Sequence, residues 1–253
     1  MKNTLIQSAH ILIKIYNYCC SLIIGIKYVL EGGRLRFLFT AARCYRMLER
    51  LPEIYHPIPL PGFDDLQPKR KCDDRVKMIL DDMDNESATV LDVGCQIGYF
   101  SFMLAEKGYT VSSFDMLKKN IDICLLINKL RHKKPSPDFF IAKLTLESIE
   151  QLTKVDYVIC LAVFHHIIYY EGFDIAKKLM CRLRKKISKK MYFEIGQSNE
   201  PVEPWASSLP DMGEKPIIWI SDFLREAGFE HIKLLGMIST HVSEVKRCLV
   251  AAW

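Results

Sequence analysis

Hydrophobic and polar positions alternate in a regular way along the chain from Asp73 to the C-terminus. Short apolar runs rich in β-branched residues predict buried strands, and apolar residues spaced three or four positions apart predict helices. The predicted strands are 88–94, 110–115, 139–142, 155–162, 190–195, 231–238 and 247–252. The predicted helices are 73–84, 99–107, 117–131, 172–187 and 219–227, with a short helix or loop at 148–152.

The order of these elements predicts the fold class. Strands that alternate with helices form a parallel sheet covered by helices on both faces. The last two strands have no helix between them, which predicts an antiparallel hairpin at one edge. We therefore expect an α/β fold with a doubly wound, mostly parallel, seven-stranded sheet, a C-terminal antiparallel edge hairpin and an N-terminal helical appendage.

Residues 1–51 form a region of different character. The segment from Leu5 to Ile26 is mostly apolar, but its charge-free part after Lys14 covers only residues 15–26, whereas a bilayer span needs about 20 residues. The following segment, 34–51, predicts an amphipathic helix in which arginines alternate with apolar and aromatic residues. Such a helix suits an anionic membrane surface, and the alternative is a pair of helices that cap the catalytic domain or mediate dimerisation.

Residues 52–71 contain five prolines, which disfavour regular helix and indicate a proline-rich linker. The chain is thus expected to consist of a helical region at 1–51, the linker at 52–71 and the α/β domain at 72–253.

Composition narrows the classes of protein. Hydrophobic residues make up 49% of the chain and charged residues 26%, which is typical of a folded domain. The net charge of +5 permits an anionic partner without requiring one. No CxxC pair occurs among the nine cysteines, so no metal site is expected. No small-residue cleavage site follows the apolar run, and free thiols in a cytoplasmic protein are the expectation.

A glycine-bearing turn follows the first predicted strand. Gly94 and Gly98 allow the backbone to turn sharply from strand to helix and to approach a ligand closely. Asp115 ends the second strand, 21 residues after Gly94, where a carboxylate can accept hydrogen bonds from ribose hydroxyls. Together these features predict a nucleoside-containing cofactor.

The segment from Val90 to Phe100, with Asp92-Val-Gly-Cys-Gln-Ile-Gly98 at its centre, resembles motif I of the class I S-adenosylmethionine-dependent methyltransferases. Gln96 stands where that family usually has another glycine. The resemblance implies that S-adenosylmethionine is the cofactor and S-adenosylhomocysteine the product, and that Asp92 binds the amino group of the cofactor. The cofactor-binding positions that it implies are Asp92, Gly94, Cys95, Gln96, Gly98, Tyr99, Asp115, Met116, Leu144, Leu161 and Ala162.

Candidate catalytic and acceptor residues follow the fourth and fifth strands. His165 or His166 can accept a proton from a hydroxyl near neutral pH, and the alternative is a structural role at the start of a helix. Glu194 points to the same rim, at the carboxyl ends of the strands, where it can orient a histidine, bind substrate or form a salt bridge. Trp205, in the long segment 196–216, is a candidate acceptor contact, and Arg75 can reach an anionic acceptor or the cofactor carboxylate.

The sequence thus predicts methyl transfer to an oxygen or nitrogen atom. The N-terminal region favours a lipid, a lipid-linked glycan or another membrane-associated small molecule, with peripheral attachment to the cytoplasmic face. Basic clusters at 69–71 and 182–190 suggest an RNA methyltransferase as the enzymatic alternative. Gln96 leaves a third alternative, a non-catalytic partner that keeps the methyltransferase fold. The sequence does not identify the oligomeric state.

Overall fold

A computed structural model of the protein describes residues 35–63, 65–84, 87–131, 134–200, 203–240 and 244–253. The predictions made for residues 1–34, including the apolar segment 5–26, lie outside the described residues.

Seven strands form one sheet, as the sequence predicts. They are β1 Thr89–Val93, β2 Thr110–Asp115, β3 Asp138–Ile141, β4 Val155–Leu161, β5 Ile187–Glu194, β6 Ile232–Ser239 and β7 Lys246–Ala252. Their order across the sheet is β3-β2-β1-β4-β5-β7-β6. Strands β1 to β5 are parallel, whereas β7 is antiparallel to both β5 and β6. The predicted edge hairpin is therefore confirmed. From β1 the chain adds β2 and β3 on one side and then β4 and β5 on the other, so the strand order reverses between β1 and β4.

The described residues contain seven α-helices. They are α1 Leu35–Glu49, α2 Asp73–Asp82, α3 Tyr99–Glu106, α4 Lys118–Leu130, α5 Phe164–Glu171, α6 Phe173–Arg184 and α7 Pro216–Glu226. Single 3-10 turns occur at Ser148–Gln151 and Ala206–Ser208. Helix α5 had no counterpart among the predicted helices, and only its first residues were considered as a helix start.

Both faces of the sheet are covered. On one face Val158 and Phe193 pack against α5, α6 and α7, and on the other the neighbouring Tyr157 and Tyr192 pack against α2 and α3. Alternate strand residues point to opposite faces, so each strand contributes to both cores.

Helix α1 and the segment 52–71 pack against the sheet domain. Cys44 and Leu48, four positions apart on α1, are buried in a cluster with α4, while Arg43 and Arg46 on the other faces are exposed. The described part of the proline-rich segment, 52–63 and 65–71, has no helix or strand. Pro59 O accepts a 2.7 Å hydrogen bond from Arg131 Nη1. No helix among the described residues is long and apolar enough to cross a membrane.

Candidate functional site

The turn from β1 to α3 forms the floor of the site. Gly94 has φ +71° and Gly98 has φ +81°, a left-handed backbone that strongly favours glycine. A Cβ on Gly94 would lie 2.6 Å from Val163 Cγ2, so the residue after β4 presses directly on the turn. Gln96 also has a positive φ, of 52°, although it is not glycine. Its side-chain Oε1 accepts a 3.3 Å hydrogen bond from Ile97 N, which offsets part of the strain of this backbone conformation.

Asp92 lies under this turn, near the end of β1. Its carboxylate is 4% exposed and accepts a 2.6 Å hydrogen bond from Ser101 Oγ on α3. Burial raises the pKa of Asp92 to about 7, and the nearby Asp115 adds to the increase. A cationic amino group bound beside Asp92 would remove this penalty, because an opposite charge favours the ionised carboxylate.

Asp115 ends β2 with its carboxylate turned to the same turn. Its Oδ2 accepts a hydrogen bond from Gln96 N (3.0 Å), and its Oδ1 accepts from Leu117 N (2.8 Å) and Asn120 Nδ2 (3.1 Å). A carboxylate has about four acceptor positions, so these donors leave one position on Oδ2 for a ribose hydroxyl. Burial raises the pKa of Asp115 above its ordinary value, against the effect of these hydrogen bonds.

The other predicted cofactor positions surround the same rim. Met116 is 60% exposed beside Asp115, and Leu144 is buried in the segment after β3. Leu161 ends β4, and Ala162 follows it with φ +58°, its N–H donating to Glu194 O. Together with Asp92 and the glycine turn, these residues line the carboxyl ends of β1, β2 and β4.

Two predicted cofactor residues are turned into the protein interior. The Tyr99 hydroxyl donates a 2.7 Å hydrogen bond to Asp73 Oδ1 and so ties α3 to α2. Cys95 is buried beside Cys124 of α4, and the hydrogen bond between the two thiols, together with burial, raises the pKa of Cys95 well above the usual range. Their side chains therefore brace the turn.

His165 and His166 begin α5 and have different surroundings. His165 is 2% exposed, and its Nδ1 accepts a 3.0 Å hydrogen bond from Gly196 N, which assigns the ring proton to Nε2. Burial lowers its pKa well below the ordinary value. The His166 side chain is exposed at the rim. Partial removal of its ring from water and the positive charge of Arg247 lower its pKa, so it is neutral at neutral pH.

Trp205 is part of the packing under the histidines. It is 4% exposed, with its ring centroid 4.2 Å from that of His165 and 5.4 Å from the Arg247 guanidinium carbon. A Cβ on Gly196 would lie 2.2 Å from Trp205 Cη2, so the indole rests on the backbone that follows β5. This environment places Trp205 among supporting residues and away from the open surface.

Glu194 lies at the centre of a buried network of charges. Its Oε1 is 2.6 Å from Arg70 Nη2 and 3.5 Å from Arg247 Nη1, and its Oε2 is 3.4 Å from Arg75 Nη1. Arg247 also pairs with Glu200 through two 2.7 Å hydrogen bonds. Burial raises the pKa of Glu194, but the three arginines outweigh it and hold the pKa below its usual value. Glu194 therefore stays ionised near neutral pH.

Three members of this network were missed from the sequence: Arg70, Arg247 and Glu200. Arg70 lies in the predicted basic run 69–71, which is the only signal that pointed to it. The network is nevertheless incomplete, because Arg70 Nε and Arg75 Nε are buried without a hydrogen-bond partner. The predicted substrate residue Arg75 is fully buried and bonded to Glu194, so its guanidinium is a structural element of the rim.

The site suits a nucleoside cofactor with a cationic end. The left-handed glycine turn permits close approach, Asp92 offers a buried carboxylate to a cation, and Asp115 keeps one acceptor position for a hydroxyl. Within the described ranges, no group of three His, Cys, Asp or Glu side chains could hold a metal ion.

Comparison with known proteins gives consistent matches. The family described as a methyltransferase domain matches residues 65–236. The Escherichia coli protein "O-antigen chain terminator bifunctional methyltransferase/kinase WbdD" is 31% identical over 213 residues, which cover 79% of this chain and 28% of that protein. The chain thus spans less than a third of this relative's length.

Solved structures agree with these matches. A crystal structure of WbdD superposes with a TM-score of 0.71 at 30% identity, covering 83% of this chain and 47% of that one. Magnesium protoporphyrin IX methyltransferase from Synechocystis PCC 6803, solved with bound S-adenosylmethionine, has a TM-score of 0.53 at 24% identity and covers 71% and 76% of the two chains. The second likeness concerns the fold alone.

Proposed function

Because this chain belongs to the class I S-adenosylmethionine-dependent methyltransferases, we propose that it methylates an oxygen or nitrogen atom of a glycan-linked acceptor. The observation that carries the proposal is the match to WbdD over 79% of the chain, since that relative is named as an O-antigen chain terminator. The wider WbdD protein includes a kinase activity, which is no part of this proposal.

The geometry of the rim supports the cofactor-binding roles that we propose. S-adenosylmethionine supplies an electrophilic methyl group when it is bound. Asp92 holds the amino group of the cofactor, the backbone at Gly94 and Gly98 allows the cofactor to approach, and Asp115 accepts a hydrogen bond from the ribose. Met116, Leu144, Leu161 and Ala162 line the walls.

His166 is the proposed proton acceptor on the acceptor side. Its exposed ring is neutral at neutral pH and therefore able to take a proton from a hydroxyl or amine. His165 is proposed as a positioning residue, because its Nδ1 is occupied by Gly196 N–H and its ring packs on Trp205. Glu194 positions the segment after β5 through the arginines that surround it.

Methyl transfer with tritium-labelled S-adenosylmethionine tests this proposal. The acceptors are a delipidated polysaccharide, a lipid-linked glycan extract and total RNA, each from a Gram-negative bacterium. We expect label in a glycan fraction, and we expect His166→Ala to lower kcat by about 10²-fold or more with unchanged S-adenosylhomocysteine affinity. His231→Ala, at an exposed histidine outside the rim, is the matched control. Label in RNA alone, or in none of the fractions, would contradict the proposal.

The contacts of the second basic cluster argue against the RNA alternative. Lys186 Nζ donates to Glu150 O and Leu152 O, and Arg184 donates to Gly228 O and Ile187 O. Arg182 donates to Leu146 O and pairs with Glu150. These cations stabilise helix and loop ends, which reduces the charge available to a phosphate backbone.

We further propose that residues 1–51 attach the enzyme peripherally to an anionic membrane on the cytoplasmic face. Support comes from α1, where Phe39, Arg43 and Arg46 are exposed on the side away from α4. The full chain should float with vesicles that contain phosphatidylserine and be released by salt, because screening weakens the attraction. Equal flotation with neutral vesicles, or none with either kind, would refute this attachment.

A further inference from the structure

Helix α5 lies along the mouth of the cofactor site. At its start, Val163 presses against Gly94 in the turn after β1. At its end, Glu171 pairs with Lys143, which follows β3. Since both attachment points belong to the carboxyl rim of the sheet, the helix borders the opening between them.

The outward face of α5 carries His166, Tyr169 and Tyr170. These positions are spaced i, i+3 and i+4 and so share one side of the helix, whereas Phe164 and Ile168 on the opposite side are buried. Tyr169 is 42% exposed and Tyr170 is 74% exposed. Their ring centroids are 4.9 Å apart at an interplanar angle of 71°, so the two rings form a corner that faces away from the core.

The chemistry of this face favours an uncharged, amphipathic ligand. Tyrosine rings offer flat apolar surface with a hydrogen-bonding hydroxyl at the edge, and His166 beside them is neutral at neutral pH. A sugar ring has the complementary form, with a face of C–H groups and hydroxyls around its edge. The cations near the face do not favour a polyanion, because Lys143 is paired with Glu171. The face is continuous with His166 and therefore with the proposed acceptor side of the site.

We propose that Tyr169 and Tyr170 form an acceptor-binding lip that stacks on a sugar ring of the glycan and directs its reactive group to His166. This inference rests on the proposed function and names the part of the acceptor that is recognised. It makes Tyr170, the more exposed of the pair, a specificity-determining residue.

Binding to an array of bacterial cell-surface oligosaccharides tests the lip directly. The full chain is applied with saturating S-adenosylhomocysteine, whose affinity is measured separately by calorimetry for every variant. Tyr170→Ala removes the ring, and Tyr170→Phe keeps the ring without the hydroxyl. Leu125→Ala is the matched control, because Leu125 on α4 is 42% exposed, as Tyr169 is, but lies on a different helix.

We expect the wild type and Leu125→Ala to bind the same oligosaccharides, Tyr170→Ala to bind them roughly tenfold more weakly, and Tyr170→Phe to keep most of the affinity. S-adenosylhomocysteine affinity should be the same in all four proteins. Absence of glycan binding by the cofactor-loaded wild type, or full binding by Tyr170→Ala, would overturn the lip alone. A loss of S-adenosylhomocysteine affinity in Tyr170→Ala would also overturn it, by assigning the ring to the cofactor. Failure of the wild type to bind S-adenosylhomocysteine would refute both the lip and the proposed function.

Discussion

Replacing Gly94 by alanine tests how closely the turn after β1 is built against the end of β4. The added Cβ would lie 2.6 Å from Val163 Cγ2, and the position has φ +71°. The added Cβ and Val163 Cγ2 both belong to short segments at the rim. The clash between them can be relieved only if the turn, or the residue that precedes α5, moves.

The expected cost has two parts. Alanine at a positive φ costs about 1 kcal/mol, and forcing a methyl group into a packed contact costs roughly 1–3 kcal/mol more. Gly213→Ala isolates the first part, because Gly213 has φ +62° and no atom within 4 Å of its added Cβ. For a chain of this size each kcal/mol lowers the midpoint of thermal unfolding by about 2–4 °C. We therefore expect a decrease of roughly 5–15 °C for Gly94→Ala and about 2–4 °C for Gly213→Ala.

Thermal unfolding and S-adenosylhomocysteine calorimetry measure both consequences. Gly94→Ala should lose at least about tenfold in affinity, whereas Gly213→Ala should keep the wild-type value. The double variant Gly94→Ala with Val163→Ala removes the clashing Cγ2 and should recover part of the stability, since contacting residues couple. Equal destabilisation and equal affinity of the two single glycine variants would refute the argument from close packing.

Three further predictions concern charge and packing at the rim. Burial raises the pKa of Asp92 to about 7, so the folded ligand-free protein favours the protonated acid. The contribution of this protonated carboxyl group to stability is therefore lost as pH rises toward 7. Affinity for the cationic S-adenosylmethionine should rise over the same range, and a pH dependence in Asp92→Asn equal to that of the wild type would contradict this. Glu194→Gln leaves three buried arginines with one carboxylate fewer and should lower the free energy of unfolding by about 3–5 kcal/mol, measured with denaturant. Glu226→Gln breaks an exposed pair with Lys177 and should leave that free energy almost unchanged. Similar losses in the two glutamine variants would argue against the buried network. Gly196→Ala should displace Trp205 and destabilise the protein by roughly 1–3 kcal/mol. The double variant with Trp205→Leu should recover part of this stability, whereas strictly additive losses of stability in the two single variants would exclude the contact.

The sheet could be predicted from the sequence because each strand is recognisable from a few neighbouring residues. Each strand is a short apolar run, and the two final strands lack a helix between them, which was enough for the antiparallel edge. Helix α5 escaped prediction because its residues 164–171 are almost all apolar or aromatic and directly follow β4. The hydrophobicity of such a segment shows no helical period, so the sequence pattern does not distinguish the helix from the end of a strand. Strand β5 begins three residues earlier than predicted, at Ile187.

The candidate cofactor residues could be proposed from the sequence for a similar reason, since Asp92, Gly94 and Gly98 lie within one short segment. The buried network was not, because Arg70, Glu194 and Arg247 are separated by 124 and then 53 positions and meet only in the folded sheet. Their types are those of ordinary surface residues, so composition gives no sign of burial. The internal hydrogen bonds of the basic cluster at 182–190 could not be predicted for the same reason, since Lys186 donates to two backbone carbonyls of the segment 150–152.

The central claim is that the rim between the glycine turn and Asp115 binds S-adenosylmethionine. Calorimetric titration of S-adenosylhomocysteine into the wild type, Asp115→Ala and Asp122→Ala tests it most directly. Asp122 is the control because it lies at the surface of α4 in a pair with Lys118, away from the turn. The account predicts equal affinity for the wild type and Asp122→Ala and at least about a tenfold loss in Asp115→Ala. Unchanged affinity in Asp115→Ala, or no binding by the folded wild type, would contradict it.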